Sequence, residues 1–254
     1  MIDRQGDIAI VKLNRPENRN ALGFTISGSL LAAIDEVEAD PSLSVMVLTG
    51  EGKTFCAGGK IGEMMAADGV DTFRRDAANR DFVTAVARLR KSSLPVVCAL
   101  NGVNVGGGVA LAMACDLVVA EEDAAYLFAF GRVGATVADA GCSYLLPRMV
   151  GVARARHILL TGGRVDATEG EAIGLFAEVA PKGELMAVTL KLARTIADAS
   201  PRAAAAASKQ ILLHAETADF DTTLWYEHYM QTYFLNSDEA QVRVRAMIEK
   251  IWRK

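Results

Sequence analysis

Two glycine-rich segments and one aspartate carry most of the chemistry this chain could do. The first segment, Phe55-Cys-Ala-Gly-Gly-Lys-Ile-Gly-Glu-Met64, follows an apolar, β-branched run and a turn at Gly50 to Gly52. Ala57, Gly58 and Gly59 cover the main chain so thinly that a ligand carbonyl can reach backbone N–H groups directly. The second, Asn101-Gly-Val-Asn-Val-Gly-Gly-Gly-Val-Ala-Leu-Ala-Met-Ala-Cys-Asp116, sets three consecutive glycines where a strand gives way to a helix of small residues. A helix N-terminus offers unpaired donors and partial positive charge, so it favours an oxygen that becomes anionic. Two such loops could form an oxyanion hole. Taken singly, each is equally an ordinary turn, and the alanines between Val109 and Ala114 equally serve close helix packing. A phosphate reading fits less well, because neither segment ends in the Gly-Lys-Ser/Thr of a nucleotide-triphosphate loop and Gly102 to Gly108 lack G-x-G-x-x-G spacing.

Strands and helices must hold these loops in place. Ile8 to Leu13, Val45 to Thr49, Val96 to Leu100 and Leu117 to Ala120 read as buried strands, each a short and mainly apolar run. Between the first two, Leu30, Ala33, Ile34 and Val37 recur at helical spacing within Phe24 to Ala39, and Asp40-Pro41 ends that helix. Phe82, Val86 and Leu89 repeat the pattern within Phe73 to Arg90. This alternation predicts an α/β fold. From about Asp139 the pattern turns mainly helical, with Pro201 to His214, Asp219 to Leu235 and Asp238 to Trp252 as three separate segments. The expected division is a core over residues 1–195 and a helical C-terminal region over residues 196–254.

Composition narrows the partners. With 254 residues, 51% of them hydrophobic, the chain can fill a sizeable core. A net charge of -4 with scattered basic residues gives no footprint for nucleic acid or an anionic membrane surface. The richest apolar stretch, Val96 to Ala120, is broken by Asn101, Asn104, glycines and Asp116, so it does not read as a membrane span. Cys56, Cys98, Cys115 and Cys142 lack zinc-site spacing and no secretory signal is recognised, so reduced thiols and a cytoplasmic location are expected. His157, His214 and His228 stand far apart, and no metal site is expected.

Taken together, in this order and at this separation, the two glycine segments resemble the crotonase (enoyl-CoA hydratase/isomerase) family. Leu13-Asn-Arg-Pro-Glu-Asn-Arg-Asn-Ala-Leu22, Leu146-Pro-Arg-Met-Val-Gly151 and the stretch from Leu160-Thr-Gly to Ala172-Ile-Gly-Leu175 extend the likeness over nearly the whole chain. The resemblance implies an α/β core of repeated ββα turns and a C-terminal helical region that joins subunits into a homotrimer or a dimer of trimers. It also implies a coenzyme A thioester as substrate, with no separate cofactor because coenzyme A enters as part of the acyl-CoA. On the same ground Gly59 and Gly107 supply the two N–H donors. Arg19, Ala21, Ala57, Lys60 and Ile61 would lie along coenzyme A, where Arg19 or Lys60 could meet a phosphate.

Family members that add water use two glutamates, and the corresponding positions here are Ala110 and Gly131, which cannot move a proton. One carboxylate remains at a position the family uses: Asp139, within Gly134-Ala-Thr-Val-Ala-Asp-Ala-Gly-Cys-Ser-Tyr-Leu-Leu-Pro147. Members that shift double bonds or rearrange ring-derived thioesters carry an acid at or near this place, and dehalogenating members use an aspartate here as nucleophile. The expected reaction is isomerisation of an unsaturated acyl-CoA, with Asp139 as acid and base. Asp139 is also well placed to N-cap the helix that follows. Three alternatives stay open: a hydratase using another acid such as Glu63 or Asp68, a hydrolase or dehalogenase-type enzyme, and a non-catalytic acyl-CoA-binding protein. Phe128, Phe130 and Val133 could line a low-polarity pocket beside Gly131 or equally be ordinary core. Arg132 could hold Asp139 ionised or bind a substrate carboxylate, and it also reads as an exposed loop arginine. Trp225, Tyr226, Tyr229, Tyr233 and Phe234 suit either subunit contact or packing within the chain.

Overall fold

A computed structural model describes residues 1–60 and 72–252, so Ile61, Glu63 and Asp68 lie outside the described residues. The chain divides into two compact units, Met1–Ile196 and Ala197–Lys254. Strands in the first unit are, in chain order, β1 (Ile2–Gln5), β2 (Ile8–Leu13), β3 (Val45–Gly50), β4 (Val96–Leu100), β5 (Val103–Val105), β6 (Leu117–Glu121), β7 (Ala125–Leu127), β8 (Arg164–Asp166) and β9 (Glu178–Ala180). They form a six-stranded sheet in the order β1-β2-β3-β4-β6-β9 and a three-stranded sheet in the order β5-β7-β8.

In the larger sheet only β1 runs antiparallel to its neighbour. Every residue of β3 and β4 is buried, as parallel strands covered on both faces require. Consecutive strands are shared between the sheets: β4 and β6 pair in one, β5 and β7 in the other. This is the repeated strand, strand, helix pattern expected of the core, with α3 (Gly107–Met113) closing the β4–β5 turn.

Register fixes where the two glycine segments emerge. Thr49 near the end of β3 pairs with Ala99 near the end of β4, so both segments leave the sheet at the same carboxyl edge, where ligands of parallel sheets usually bind. Asn101 clamps that edge. Its Oδ1 accepts from the Gly50 N–H at 3.1 Å, and its Nδ2 donates to the Gly50 and Gly52 carbonyls at 2.8 and 2.9 Å.

Two helices border the loops, α1 (Ile26–Ala39) and α2 (Thr72–Lys91). Ile26, Leu30, Ala33, Ile34 and Val37 of α1 form its buried stripe, as do Phe82, Ala85, Val86 and Leu89 of α2. Each large apolar side chain so buried stabilises the fold by about 1.5–3 kcal/mol. Arg88 of α2 bridges to Asp35 and Glu38 of α1 at 2.7 and 2.8 Å. Helix α1 starts at Ile26 rather than Phe24. The short strands β1, β5, β7, β8 and β9 carry too few residues to show a period. The unit continues through α4 (Cys142–Val150), α5 (Val152–Thr161), α6 (Ala167–Ala172) and all but the last three residues of α7 (Leu185–Ala199).

The second unit holds α8 (Arg202–Ala215), α9 (Phe220–Leu235) and α10 (Asp238–Trp252). Asp219 caps α9 by accepting the Thr222 N–H at 2.8 Å. Helix α9 buries no residue, and Trp225, Tyr229 and Tyr233 are exposed.

Candidate active site

The first glycine segment is laced to the Arg19–Leu22 stretch, main chain to main chain. Ala57 N–H donates to the Arg19 carbonyl at 2.9 Å, Leu22 N–H to Gly58 at 2.7 Å and Lys60 N–H to Leu22 at 2.6 Å. Asn20, fully buried, holds the assembly from beneath. Its Oδ1 accepts from Arg15 N–H at 2.8 Å, and its Nδ2 donates to the Glu51 and Thr54 carbonyls at 3.0 and 2.7 Å. The main chain of Arg19 and Leu22 thus positions the loop, while the Ala21 N–H bonds to the Asn18 carbonyl.

The second segment packs directly on the first. Val105 N–H donates to the Cys56 carbonyl at 3.0 Å. A Cβ placed on Gly58 would lie 2.6 Å from the Val105 carbonyl oxygen and 3.7 Å from the Gly107 nitrogen. Gly107 opens α3, where the first N–H groups have no partner within the helix. Among the described residues, neither the Gly59 nor the Gly107 N–H meets an acceptor. Two adjacent unpaired donors can hold an oxygen that gains negative charge, each worth about 3–4 kcal/mol to such a state.

These donors face a cavity of about 460 Å³, within the usual size range of small-molecule sites. Ala57, Gly59, Gly107, Arg132 and Asp139 all line it. Arg19, Ala21, Lys60 and Gly131 do not, and Ile61 lies outside the described residues. Phe130 and Val133 line the cavity, whereas Phe128 is fully buried, its ring edge-on to Tyr126. Residue alternation after β7 turns it into the core.

Asp139 is the sole carboxylate among the described residues lining the cavity. It does not cap the following helix. The N-cap of α4 is Gly141 and receives no side-chain bond, while Asp139 Oδ1 accepts from the neighbouring Ala140 N–H at 2.7 Å. Its Oδ2 meets no hydrogen-bond partner among the described residues. Arg132 is not paired with it: the guanidinium donates to the Gly162 carbonyl at 3.4 Å. Ala110 is fully buried in the core, and the bare Cα of Gly131 faces Val137, so neither position offers an acid.

The nearby thiols are poor nucleophiles. Burial pushes Cys56 up to about 12, and burial together with the charge of Asp139 does the same to Cys142. Sequence reasoning overlooked the helical side of the cavity, formed by Phe24 and Ser27 with Ala78, Asn79 and Phe82 of α2. A signal was present in Ser27, a polar residue on the apolar stripe of α1.

Comparison with known proteins agrees with this geometry. The sequence matches the family described as enoyl-CoA hydratase/isomerase over residues 3–253. It is 32% identical over 244 residues to a 1,2-epoxyphenylacetyl-CoA isomerase of Escherichia coli K12, covering 96% of this chain and 92% of that one. The fold is similar to that of an enoyl-CoA hydratase from Polaromonas sp. JS666, with a TM-score of 0.92, 28% identity and coverage of 98% and 96% of the two chains. An enoyl-CoA hydratase from Bacillus anthracis gives a TM-score of 0.91 at 26% identity, covering 98% of this chain and 96% of that one. With the donor pair formed and the family match spanning the core and the C-terminal helices alike, the chain belongs to the enoyl-CoA hydratase/isomerase family.

Proposed function

We propose that this enzyme isomerises the double bond of an unsaturated acyl-CoA. The Gly59 and Gly107 N–H groups bind the thioester oxygen, and Asp139 carries the proton. The observation behind this reading is that Asp139 is the sole carboxylate among the described cavity residues; the family resemblance implies hydratase acids at Ala110 and Gly131, which carry none.

The chemistry balances without a further reactant. Asp139 takes a proton from the α- or γ-carbon, and the C–H electron pair moves toward the thioester oxygen, giving a dienolate stabilised by the two N–H groups. Protonated Asp139 returns the proton to a different carbon. Bonds have shifted, and no atom has been gained or lost. Similarity to a relative named as an isomerase supports this reading, although most of the relatives are named as hydratases. Hydration by a carboxylate pair would need a second proton-moving group.

The test is turnover of a 3-enoyl-CoA by wild type and by Asp139→Ala and Asp139→Asn. Losing a positioned acid and base should lower the rate by about a hundredfold or more, and undiminished turnover in either variant refutes the assignment. A parallel assay with a short 2-enoyl-CoA, following loss of the conjugated thioester absorbance, reads hydration. The reading goes with a cytoplasmic enzyme that needs no cofactor beyond the coenzyme A of its substrate. It also goes with assembly into trimers through residues 196–254, where Trp225, Tyr229 and Tyr233 are exposed; light scattering measures that assembly.

A further inference from the structure

We infer that the acyl group accepted here carries a hydrogen-bonding oxygen, a hydroxyl or carbonyl, and that Ser27 and Asn79 are the specificity-determining residues that meet it. This rests on the acyl-CoA reading of the site and adds the chemical class of the acyl chain.

Ser27 is the first support. It is only 3% exposed, and what remains exposed belongs to the cavity wall. A serine inside a helix ordinarily turns its hydroxyl back onto the carbonyl four residues earlier, as Ser29 does onto Thr25 at 2.9 Å. Ser27 makes no such bond, and its hydroxyl meets no donor or acceptor among the described residues. A hydroxyl so nearly buried is costly unless something satisfies it. An alkyl chain filling this end of the cavity would strip the remaining water from Ser27 and return nothing.

Asn79 supplies the second, independent support from the facing helix. It lines the cavity from an exposed position on α2, and its amide makes no hydrogen bond to the described residues, so it is free to turn to a ligand. Asn79 lies three residues before Phe82 and therefore on the same face of α2. The end of the Phe82 ring lies 3.1 Å from a Cβ placed on Gly107. Asn79 is thus about one helical turn, roughly 5 Å, from the residue beside the donor pair, a span that reaches the acyl chain a few carbons beyond the thioester. Its amide can donate and accept, as can the Ser27 hydroxyl. The other residues on this side, Leu22, Phe24, Ala78 and Phe82, are apolar. Ser27 and Asn79 put two polar groups on this otherwise apolar side of the cavity, which favours an acyl chain with a hydrogen-bonding substituent there.

Equilibrium binding tests the inference without requiring turnover. The probes are hexanoyl-CoA and its 5-hydroxy and 6-hydroxy counterparts, saturated thioesters with no double bond to isomerise, titrated calorimetrically into wild type, Ser27→Ala, Ser27→Thr and Asn79→Ala. A site that hydrogen-bonds a substituent discriminates against the analogue lacking it. Wild type should therefore favour one hydroxylated thioester by roughly tenfold or more. Ser27→Ala and Asn79→Ala should bring that ratio toward one, and Ser27→Thr, which keeps the hydroxyl, should retain most of it. Because the ratio is read within each variant, a fraction of misfolded protein does not alter it. Equal affinity of wild type for all three thioesters, or a ratio unmoved by both alanine variants, overturns the inference and leaves the acyl-CoA reading intact. Failure of wild type to bind any of the thioesters would overturn both.

Discussion

Gly58 lies against the main chain of Val105, so close that a Cβ on Gly58 would sit 2.6 Å from the Val105 carbonyl oxygen. Its φ of 80° is also one that side chains rarely adopt. The obstacle is backbone, which in turn is fixed by the Val105 N–H bond to Cys56. Gly58→Ala must therefore strain its own backbone and push the two donor loops apart. The expected result is a loss of about 2 kcal/mol or more in stability, read from the urea midpoint, together with a collapse of turnover. A variant with wild-type midpoint and rate would show that the loops move independently.

Asn20 ties the Arg19–Leu22 stretch to the turn after β3 through three hydrogen bonds, all from one buried side chain. Asn20→Ala leaves the Arg15 N–H and two carbonyls without their partner, at about 1–3 kcal/mol for each group that stays buried. Asn20→Asp should be no milder, since it sets a carboxylate against the Glu51 and Thr54 carbonyls. Both variants should unfold at lower urea. KM for an acyl-CoA should rise as well, because the Ala57–Lys60 loop hangs on this stretch. A destabilised protein with unchanged KM would separate the scaffold from the site.

The long buried strands and the two glycine segments were legible in the sequence because each leaves a local mark. β2, β4 and α10 appear at their expected ends, and β3 extends one residue further, since buried strands of five or six residues read as apolar runs and a long helix shows its period. Strands of three residues such as β5, β7 and β8 exist only through pairing between distant segments, so no local pattern announces them. That Gly59 and Gly107 lie at the cavity was readable from their segments, whereas Phe24, Ser27 and Asn79 reach it only once α1 and α2 are packed against the loops. Phe128 stayed open between pocket and core for a related reason: its aromatic type suits either, and β7 sets its orientation into the core.

The cysteines tie folding to alkaline pH. Cys56 and Cys142 are each raised to about 12 from an ordinary 9.0, chiefly by burial. Between about pH 9 and 12 the unfolded chain loses protons that the folded chain keeps. The native state then binds more protons, so stability falls as pH rises through that window and is unaffected below it. At pH 10 the loss should be about 1 kcal/mol per thiol. Urea midpoints at pH 7.5 and 10 should differ accordingly, and Cys56→Ala should reduce the difference by about the share of one thiol, leaving that of Cys142. At pH 8, iodoacetamide should label the unfolded chain and spare Cys56 and Cys142 in the folded one. Rapid native labelling of either residue would contradict the burial.

Gly107 presents a different obstacle from Gly58. A Cβ there would lie 2.7 Å from Leu22 Cδ1 and 3.1 Å from Phe82 Cζ, which are the far ends of two side chains rather than backbone. Gly107 also lies in α3 without a strained φ, and alanine is the better helix former by about 1 kcal/mol. Gly107→Ala alone should be destabilised and slow, because Leu22 and Phe82 must shift toward the cavity they line. Leu22→Val removes the atom that the new methyl group would strike, so the double variant should recover part of the loss. A double-mutant cycle should return a favourable coupling of about 1 kcal/mol or more in stability. If the two substitutions instead add, the penalty at Gly107 comes from its own main chain, and the tight fit between α3 and Leu22 is not what keeps a glycine at this donor.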